Sequence, residues 1–106
     1  MGDDRGGAEF VREGGRLSVK GELRPEDERL YSEELSALIN SGQFCLELDL
    51  TELDYVNSSY IGATSLAVLM AKQRRKELTV IAGSKVARVL KMIGLDQMTK
   101  VEVVGE

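Results

Sequence analysis

The sequence predicts an α/β fold, in which one domain holds a mixed sheet of four or five strands with helices mainly on one face. The length of 106 residues suits a single domain. Strand-like and helix-like segments alternate along the last three-quarters of the chain, which is typical of parallel strands joined by crossover helices. The segment FCLELDL, at 44–50, alternates apolar and polar residues, so the second sheet face is expected to be polar.

The N-terminal part of the chain reads as a tail followed by a β-hairpin. Residues 1–8 are polar and glycine-rich, and we expect a disordered tail there, before a domain that spans 9–104. In the segment EFVREGGRLSVKGEL, the pair Gly14-Gly15 separates two alternating runs. Such a pair is a strong signal for a two-residue hairpin turn.

The first helix is predicted from about residue 25 to residue 41. Pro25 suits the first helical turn, and the three acidic residues after it complement the positive end of a helix dipole. Apolar residues then recur at helical spacing, and Gly42 is placed to end the helix. The apolar stripe consists of Leu30, Tyr31, Leu35, Leu38 and Ile39.

The next strand and helix carry the most informative pattern. In 44–50, one face of the strand is expected to hold Phe44, Leu46, Leu48 and Leu50. The helix after it, from about 58 to 75, is apolar or small almost all round, so we expect its first turns to be largely buried.

The last third of the chain predicts a strand at 78–83, a helix for which Ser84 is the expected N-cap, and a strand at 100–104. The helix has an apolar stripe that includes Ile93, and Gly94 is expected to end it. The methionines at 70, 92 and 98 are expected to fill the core.

A polar triplet, Asn57-Ser58-Ser59, marks the junction between the central strand and the second helix. Its simplest interpretation is helix capping, because short polar side chains accept hydrogen bonds from the free N–H groups of the first turn. The same N–H groups and the positive end of the helix dipole also favour a phosphate on a serine. Spacing alone leaves both interpretations open.

The chain resembles the STAS domain, the fold of bacterial anti-sigma factor antagonists, from about Leu17 to Val103. The resemblance is carried by GEL at 21–23, LDLTELDYV before the serine pair, the small-residue helix, and VARVLKMIGL near the C-terminus. Its element order agrees with the order derived above, so the expected fold is a STAS-like single domain.

The resemblance implies a regulatory binding protein in a partner-switching circuit. In that family the junction usually reads Asp-Ser-Ser-Gly, and an anti-sigma factor that is also a serine kinase phosphorylates the second serine. A cognate phosphatase resets it. Ser59 matches the phosphorylated serine, with Ser58 as second choice. The partner-binding residues expected are Arg24, Asn57, Ser58, Ser59 and Tyr60.

Three residues depart from the family pattern near its usual contact face. Asn57 replaces Asp, Tyr60 replaces Gly, and Arg24 stands where the family often has Asp after GEL. We expect Arg24 and Tyr60 to border the same exposed surface as Ser59. The alternative function is an accessory STAS subunit of a stable complex, such as a lipid-transport ABC system or a stress-signalling scaffold, without phospho-switching.

Composition narrows the function further. The chain has no His, which removes the usual general base and the commonest transition-metal ligand, and we expect no enzyme activity, metal or cofactor. The net charge of −4 argues against nucleic acid and anionic membranes, and no apolar run is long enough for membrane insertion. We expect a cytoplasmic monomer or weak dimer. The lone Cys45 lacks an evident activating group.

Two charged clusters have simple structural interpretations. Asp49, Glu52 and Asp54 are expected to form a solvated acidic loop rather than a metal or phospho-aspartate site. The basic run at 72–76 suits the negative end of a helix dipole, with a docking patch for an acidic partner as the alternative.

Overall fold

The structure of the chain is a computed structural model that describes residues 7–53 and 55–105. Its centre is a five-stranded mixed sheet in the order β1-β2-β3-β4-β5, in which the first pair is antiparallel and the others are parallel. The strands are β1 (Ala8–Glu13), β2 (Arg16–Gly21), β3 (Cys45–Glu52), β4 (Glu77–Gly83) and β5 (Lys100–Val104). The helices are α1 (Glu28–Ile39), α2 (Ser58–Gln73) and α3 (Ser84–Met92).

This architecture confirms the predicted α/β fold and its element order. Residues 1–6 of the predicted tail lie outside the described residues, and β1 already begins at Ala8, one residue before the expected start of the domain. None of the helices in the described part of the chain is long and apolar enough to cross a membrane.

The hairpin forms as the glycine pair predicts. Glu13 pairs with Arg16, so Gly14 and Gly15 are the two turn residues, and Gly14 adopts a positive φ of 57°. A Cβ on Gly15 would lie 2.7 Å from the backbone oxygen of Cys45. Glycine is therefore required at this turn for backbone conformation and also for close packing against the start of β3.

The two faces of the sheet differ sharply in polarity. Leu17, Leu48, Val80 and Val101 are aligned across four strands, and all but the last are fully buried beneath the helices. On the opposite face, Arg16 forms ion pairs with Glu47 and Asp49 of β3. Helices therefore pack on one face, as the alternation in 44–50 predicts.

The acidic cluster is only partly the solvated loop that the sequence predicts. Asp49 lies within β3, where its Oδ1 accepts hydrogen bonds from the backbone N and hydroxyl of Thr51 at 2.9 and 2.7 Å. Burial opposes ionisation of Asp49, but the Thr51 hydrogen bonds and Arg16 outweigh it and lower its pKa. Glu52 is exposed, and Asp54 lies outside the described residues.

Helix boundaries differ slightly from those predicted. A 3-10 turn at Pro25–Asp27 precedes α1, and α1 ends at Ile39, two residues before the predicted end. Gly42 then has a positive φ of 91°, so it turns the chain in the loop that follows α1. Gly94 has the same role after α3, with φ 84°.

Leu30, part of the predicted apolar stripe of α1, is exposed, and so are three apolar residues expected in the core at the ends of elements. Phe44 is 58% exposed, Met92 78% and Ile93 49%. Phe44 precedes β3, Met92 is the last residue of α3 and Ile93 follows it. Each side chain therefore lies at the end of its element, beyond the segment that packs against the sheet.

Candidate functional site

The candidate site begins where α2 begins. Asn57 has an extended backbone, and its side-chain Oδ1 accepts a hydrogen bond from the backbone N of Tyr60 at 3.0 Å. This geometry is that of an N-cap, and it explains why the helix starts at Ser58, as predicted. The capping interpretation of the polar triplet thus applies to Asn57.

Unlike Asn57, Ser58 and Ser59 do not cap the helix with their side chains. Both are exposed on the first turn of α2, and neither hydroxyl is hydrogen-bonded to another described residue. No acidic residue lies in this first turn, so the positive end of the helix dipole is not neutralised from within the helix. The two hydroxyls are therefore accessible in a setting that favours negative charge.

The prediction that Tyr60 borders the exposed surface is wrong, because its side chain is buried. Its side chain is 1% exposed, its ring packs against Tyr31 with centroids 5.2 Å apart, and its hydroxyl donates to the backbone oxygen of Arg24. Successive helical residues are rotated by about 100°, so Tyr60 turns inward while Ser59 faces solvent. A buried ring cannot touch a partner directly.

The hydroxyls beneath the site form a closed network. The Thr64 Oγ1 donates to the Tyr60 backbone oxygen at 2.8 Å and lies 2.6 Å from the Tyr31 hydroxyl. Because Thr64 has a single hydroxyl hydrogen, Tyr31 must be the donor in the second bond. Burial raises the pKa of Tyr31 to about 12. Burial and the negative charge of Asp27 raise that of Tyr60 to about 12 as well.

Arg24 contacts the start of α2 through its backbone oxygen and not through its guanidinium. Its guanidinium bonds Asp27 at 3.3 Å and lies 3.6 Å from Glu26, while its backbone oxygen accepts the Tyr60 hydroxyl. Burial opposes ionisation of Asp27, but bonds from the side chain and backbone of Arg24 outweigh it and lower its pKa. The Arg24 side chain is therefore already engaged by acids of its own segment.

An exposed stripe continues from the serines along α2. Ser59, Gly62, Leu66 and Leu69 recur at intervals of three and four residues, and all four are exposed. Leu66 is 60% exposed. The expectation that the first turns of this helix are largely buried is therefore wrong for this face, because α2 packs through its opposite face only.

A second feature that sequence reasoning missed is Tyr55, an exposed aromatic residue two positions before Asn57. It lines a cleft beside the start of α2, between the loop after β2 and the loop after β3. The cleft is lined by Gly21, Glu22, Leu23, Pro25, Glu52, Tyr55 and Asn57. The sequence could have indicated this residue, because Tyr55 is an aromatic residue in a polar loop next to the helix cap Asn57.

The sequence profile of the family described as "Mlab, STAS domain" matches residues 7–104, nearly the whole chain. The chain belongs to the STAS domain family. A search of curated proteins found no match. The match covers every strand and helix described above, including the serine junction.

Solved structures show where this STAS fold recurs. An anti-sigma factor antagonist from Mycobacterium paratuberculosis has a TM-score of 0.73 at 16% identity, covering 91% of this chain and 84% of that one. The Thermotoga maritima protein TM1081 gives 0.70 at 18%, covering 98% and 92%. A chain in the complex of diguanylate cyclase SiaD with its activator SiaC from Pseudomonas aeruginosa gives 0.69 at 23%, covering 95% and 93%. At these identities the likeness establishes the fold.

Proposed function

We propose that this STAS protein is a regulatory binding protein of the anti-sigma factor antagonist type, acting in the cytoplasm, and that phosphorylation of Ser59 releases its partner. The observation that carries the proposal is the exposure of Ser58 and Ser59 on the first turn of α2, with hydroxyls that bond no other described residue. The partners implied are an anti-sigma factor that is also a serine kinase, and a phosphatase that resets the protein.

The first turn of α2 suits a reversible charge. A phosphate adds about 1.5 to 2 negative charges at neutral pH. Free N–H groups and the helix dipole stabilise that charge, and the first turn has no acidic residue to repel it. The free protein should therefore keep its fold when Ser59 is phosphorylated.

The same phosphate should strongly lower the affinity for a bound partner. A surface shaped around a neutral hydroxyl would have to bury a dianion without a counter-charge, which costs several kcal/mol. Each ~1.4 kcal/mol lowers affinity tenfold. One modification can thus abolish binding and leave the binding protein folded.

The contact surface that we propose extends beyond the serines. It consists of Tyr55, Ser58, Ser59, Leu66 and Leu69, all of which are exposed. An exposed aromatic residue and two exposed leucines supply the apolar area that a neighbouring hydroxyl alone cannot provide. Arg24 and Tyr60, expected from sequence to contact the partner, act in this proposal by holding the GEL loop against α2.

Mass spectrometry tests the site of modification. The protein is purified from its own host, or incubated with ATP and a kinase encoded beside it, and Ser58→Ala is the control that separates the two serines. We expect a phosphate on Ser59 that Ser58→Ala retains. Ser59→Ala should bind the partner constitutively, and Ser59→Asp should bind poorly. Phosphate on Ser58 alone, or equal binding by the two Ser59 variants, would reject the switch.

A second candidate function is a fixed subunit of a stable complex, in a lipid-transport ABC system or a stress-signalling scaffold. It is favoured by one structural relative, which was solved in a complex with a cyclase that it activates. In that case the partner co-purifies at constant stoichiometry whether or not any serine carries phosphate.

A further inference from the structure

The charges of this chain are distributed very unevenly. The segment 72–100 carries eight of the 14 cationic side chains but only two of the 18 acids, Glu77 and Asp96. Its cations are Lys72, Arg74, Arg75, Lys76, Lys85, Arg88, Lys91 and Lys100. The chain as a whole has a net charge of −4, but the segment 72–100 is strongly basic.

Most of these cations meet at one end of the molecule. The end of α2, the end of α3 and the start of β5 all lie at the edge where the parallel strands begin. Lys72, Lys76 and Lys100 line one cleft there, and the Lys72 Nζ donates to the backbone oxygen of Met98 at 3.4 Å. We call this region, with Arg74, Arg75 and Lys91, the basic end. It lies about 24 Å from the serines, the length of α2 with its 16 residues.

Three of the apolar residues wrongly predicted to be in the core lie at the same end. Met92 and Ile93 directly follow Lys91, and Phe44 precedes β3, where its backbone oxygen accepts a bond from Glu77 N at 3.0 Å. All three protrude into solvent among the cations. Places where sequence-based core prediction fails are often functional sites.

The backbone supplies an independent observation at Arg75. It is the one non-glycine residue with a positive φ among the described residues, at 59°. The position follows the end of α2, where glycine is favoured because it adopts this conformation without steric strain. The chain thus carries a cation at a position that the local backbone disfavours for it.

We propose that the basic end docks on an anionic lipid surface and directs the serines away from it. Several cations attract anionic headgroups, and protruding apolar side chains enter the boundary between headgroups and acyl chains. Acids at this end oppose the attraction only in part: Glu77 lines the same cleft and Glu102 pairs with the Lys100 Nζ at 3.2 Å, but the six cations outnumber them. Acids farther than about 10 Å are largely screened at 0.1 M salt. This proposal is independent of the serine switch.

Other anionic partners fit the surface less well. Lysine is depleted at protein–protein interfaces, yet four of the six cations of the basic end are lysines. A nucleic acid would use the cations through its phosphates but would leave the exposed Phe44, Met92 and Ile93 without a role. A lipid surface uses both features.

Vesicle co-sedimentation of the full chain tests the proposal. The probes are phosphatidylcholine vesicles with and without phosphatidylglycerol, at low and high salt. The variant Arg74→Gln, Lys91→Gln, Lys100→Gln is matched by Arg12→Gln, Lys20→Gln, Arg29→Gln, which has the same net charge but leaves the basic end intact. We expect about fivefold weaker binding per cation removed from the basic end, hence roughly a hundredfold for the first variant. The control variant should bind like the parent chain.

The apolar contribution distinguishes lipid from other polyanions. Met92→Gln with Ile93→Gln should weaken vesicle binding about tenfold, whereas Leu30→Gln, an exposed leucine on α1, should not. Circular dichroism checks that each variant is folded. Equal sedimentation with both vesicle types would overturn the proposal. So would equally tight binding to duplex DNA or polyglutamate with no dependence on Met92 and Ile93.

Discussion

Two sets of hydroxyl groups occupy the first two turns of α2, and the fold treats them in opposite ways. Ser58 and Ser59 face solvent and bond no other described residue. Tyr60 and Thr64, on the inward face, are buried and hydrogen-bonded to Arg24 and to Tyr31. The inward hydroxyls therefore stabilise the domain, while the outward pair is available for recognition. A modification of the outward pair need not disturb the core.

The largest expected effect comes from removing the inward ring. Tyr60→Gly, which restores the family motif, should lower the free energy of unfolding by about 3–5 kcal/mol for the lost buried aromatic. Glycine within a helix adds about 1 kcal/mol to this loss. Urea unfolding measures it. Tyr60→Phe keeps the ring and should lose only about 1 kcal/mol. A Tyr60→Gly protein as stable as the parent would contradict the assigned burial.

Alkaline pH tests the same inward network without mutation. Burial raises the pKa of Tyr31 to about 12 from its ordinary 10.0, so the folded state holds this proton more tightly than the unfolded state. Its stabilisation is complete below pH 10 and is lost as the pH rises through 12. The loss is about 3 kcal/mol. Tyr31→Phe should reduce the alkaline slope in urea unfolding, and Tyr55→Phe, at an exposed position, should not.

Thr64 links the two tyrosines, so its removal should couple to theirs. Thr64→Val keeps the shape but leaves the buried Tyr31 hydroxyl without an acceptor, which should cost about 1–3 kcal/mol. Adding Tyr31→Phe removes the unsatisfied hydroxyl as well. The double variant should therefore lose less stability than the two single variants together. If the stability losses of the two single variants add up to the loss of the double variant, the hydrogen bond between Tyr31 and Thr64 contributes nothing to stability.

The smallest effect is expected on the outward side. Ser58→Ala and Ser59→Ala should each change the free energy of unfolding by less than about 0.5 kcal/mol, because the hydroxyls bond no described residue. Urea unfolding again measures this free energy, and Thr64→Val is measured in parallel as the variant with the larger expected loss. A loss above about 1 kcal/mol at either serine would erase the distinction between the outward and inward sets.

Local signals in the sequence determined the order of elements and the position of the junction. The Gly14-Gly15 pair predicted the hairpin, and alternation in 44–50 predicted a sheet with one polar face, because turn chemistry and side-chain period act over only a few residues. Asn57 was a recognisable cap for the same reason. Local sequence alone was therefore enough to place the serine pair at the start of a helix.

Only the tertiary structure decided which side of each element is covered. Ser59 and Tyr60 are neighbours in sequence, yet Tyr60 is buried because its hydroxyl reaches Arg24, 36 positions away, and its ring meets Tyr31. Phe44 and Ile93 had the periodicity of core residues, but they lie beyond the described segments that pack against the sheet. Periodicity reveals that an apolar face exists, but burial requires a partner that is distant in the chain.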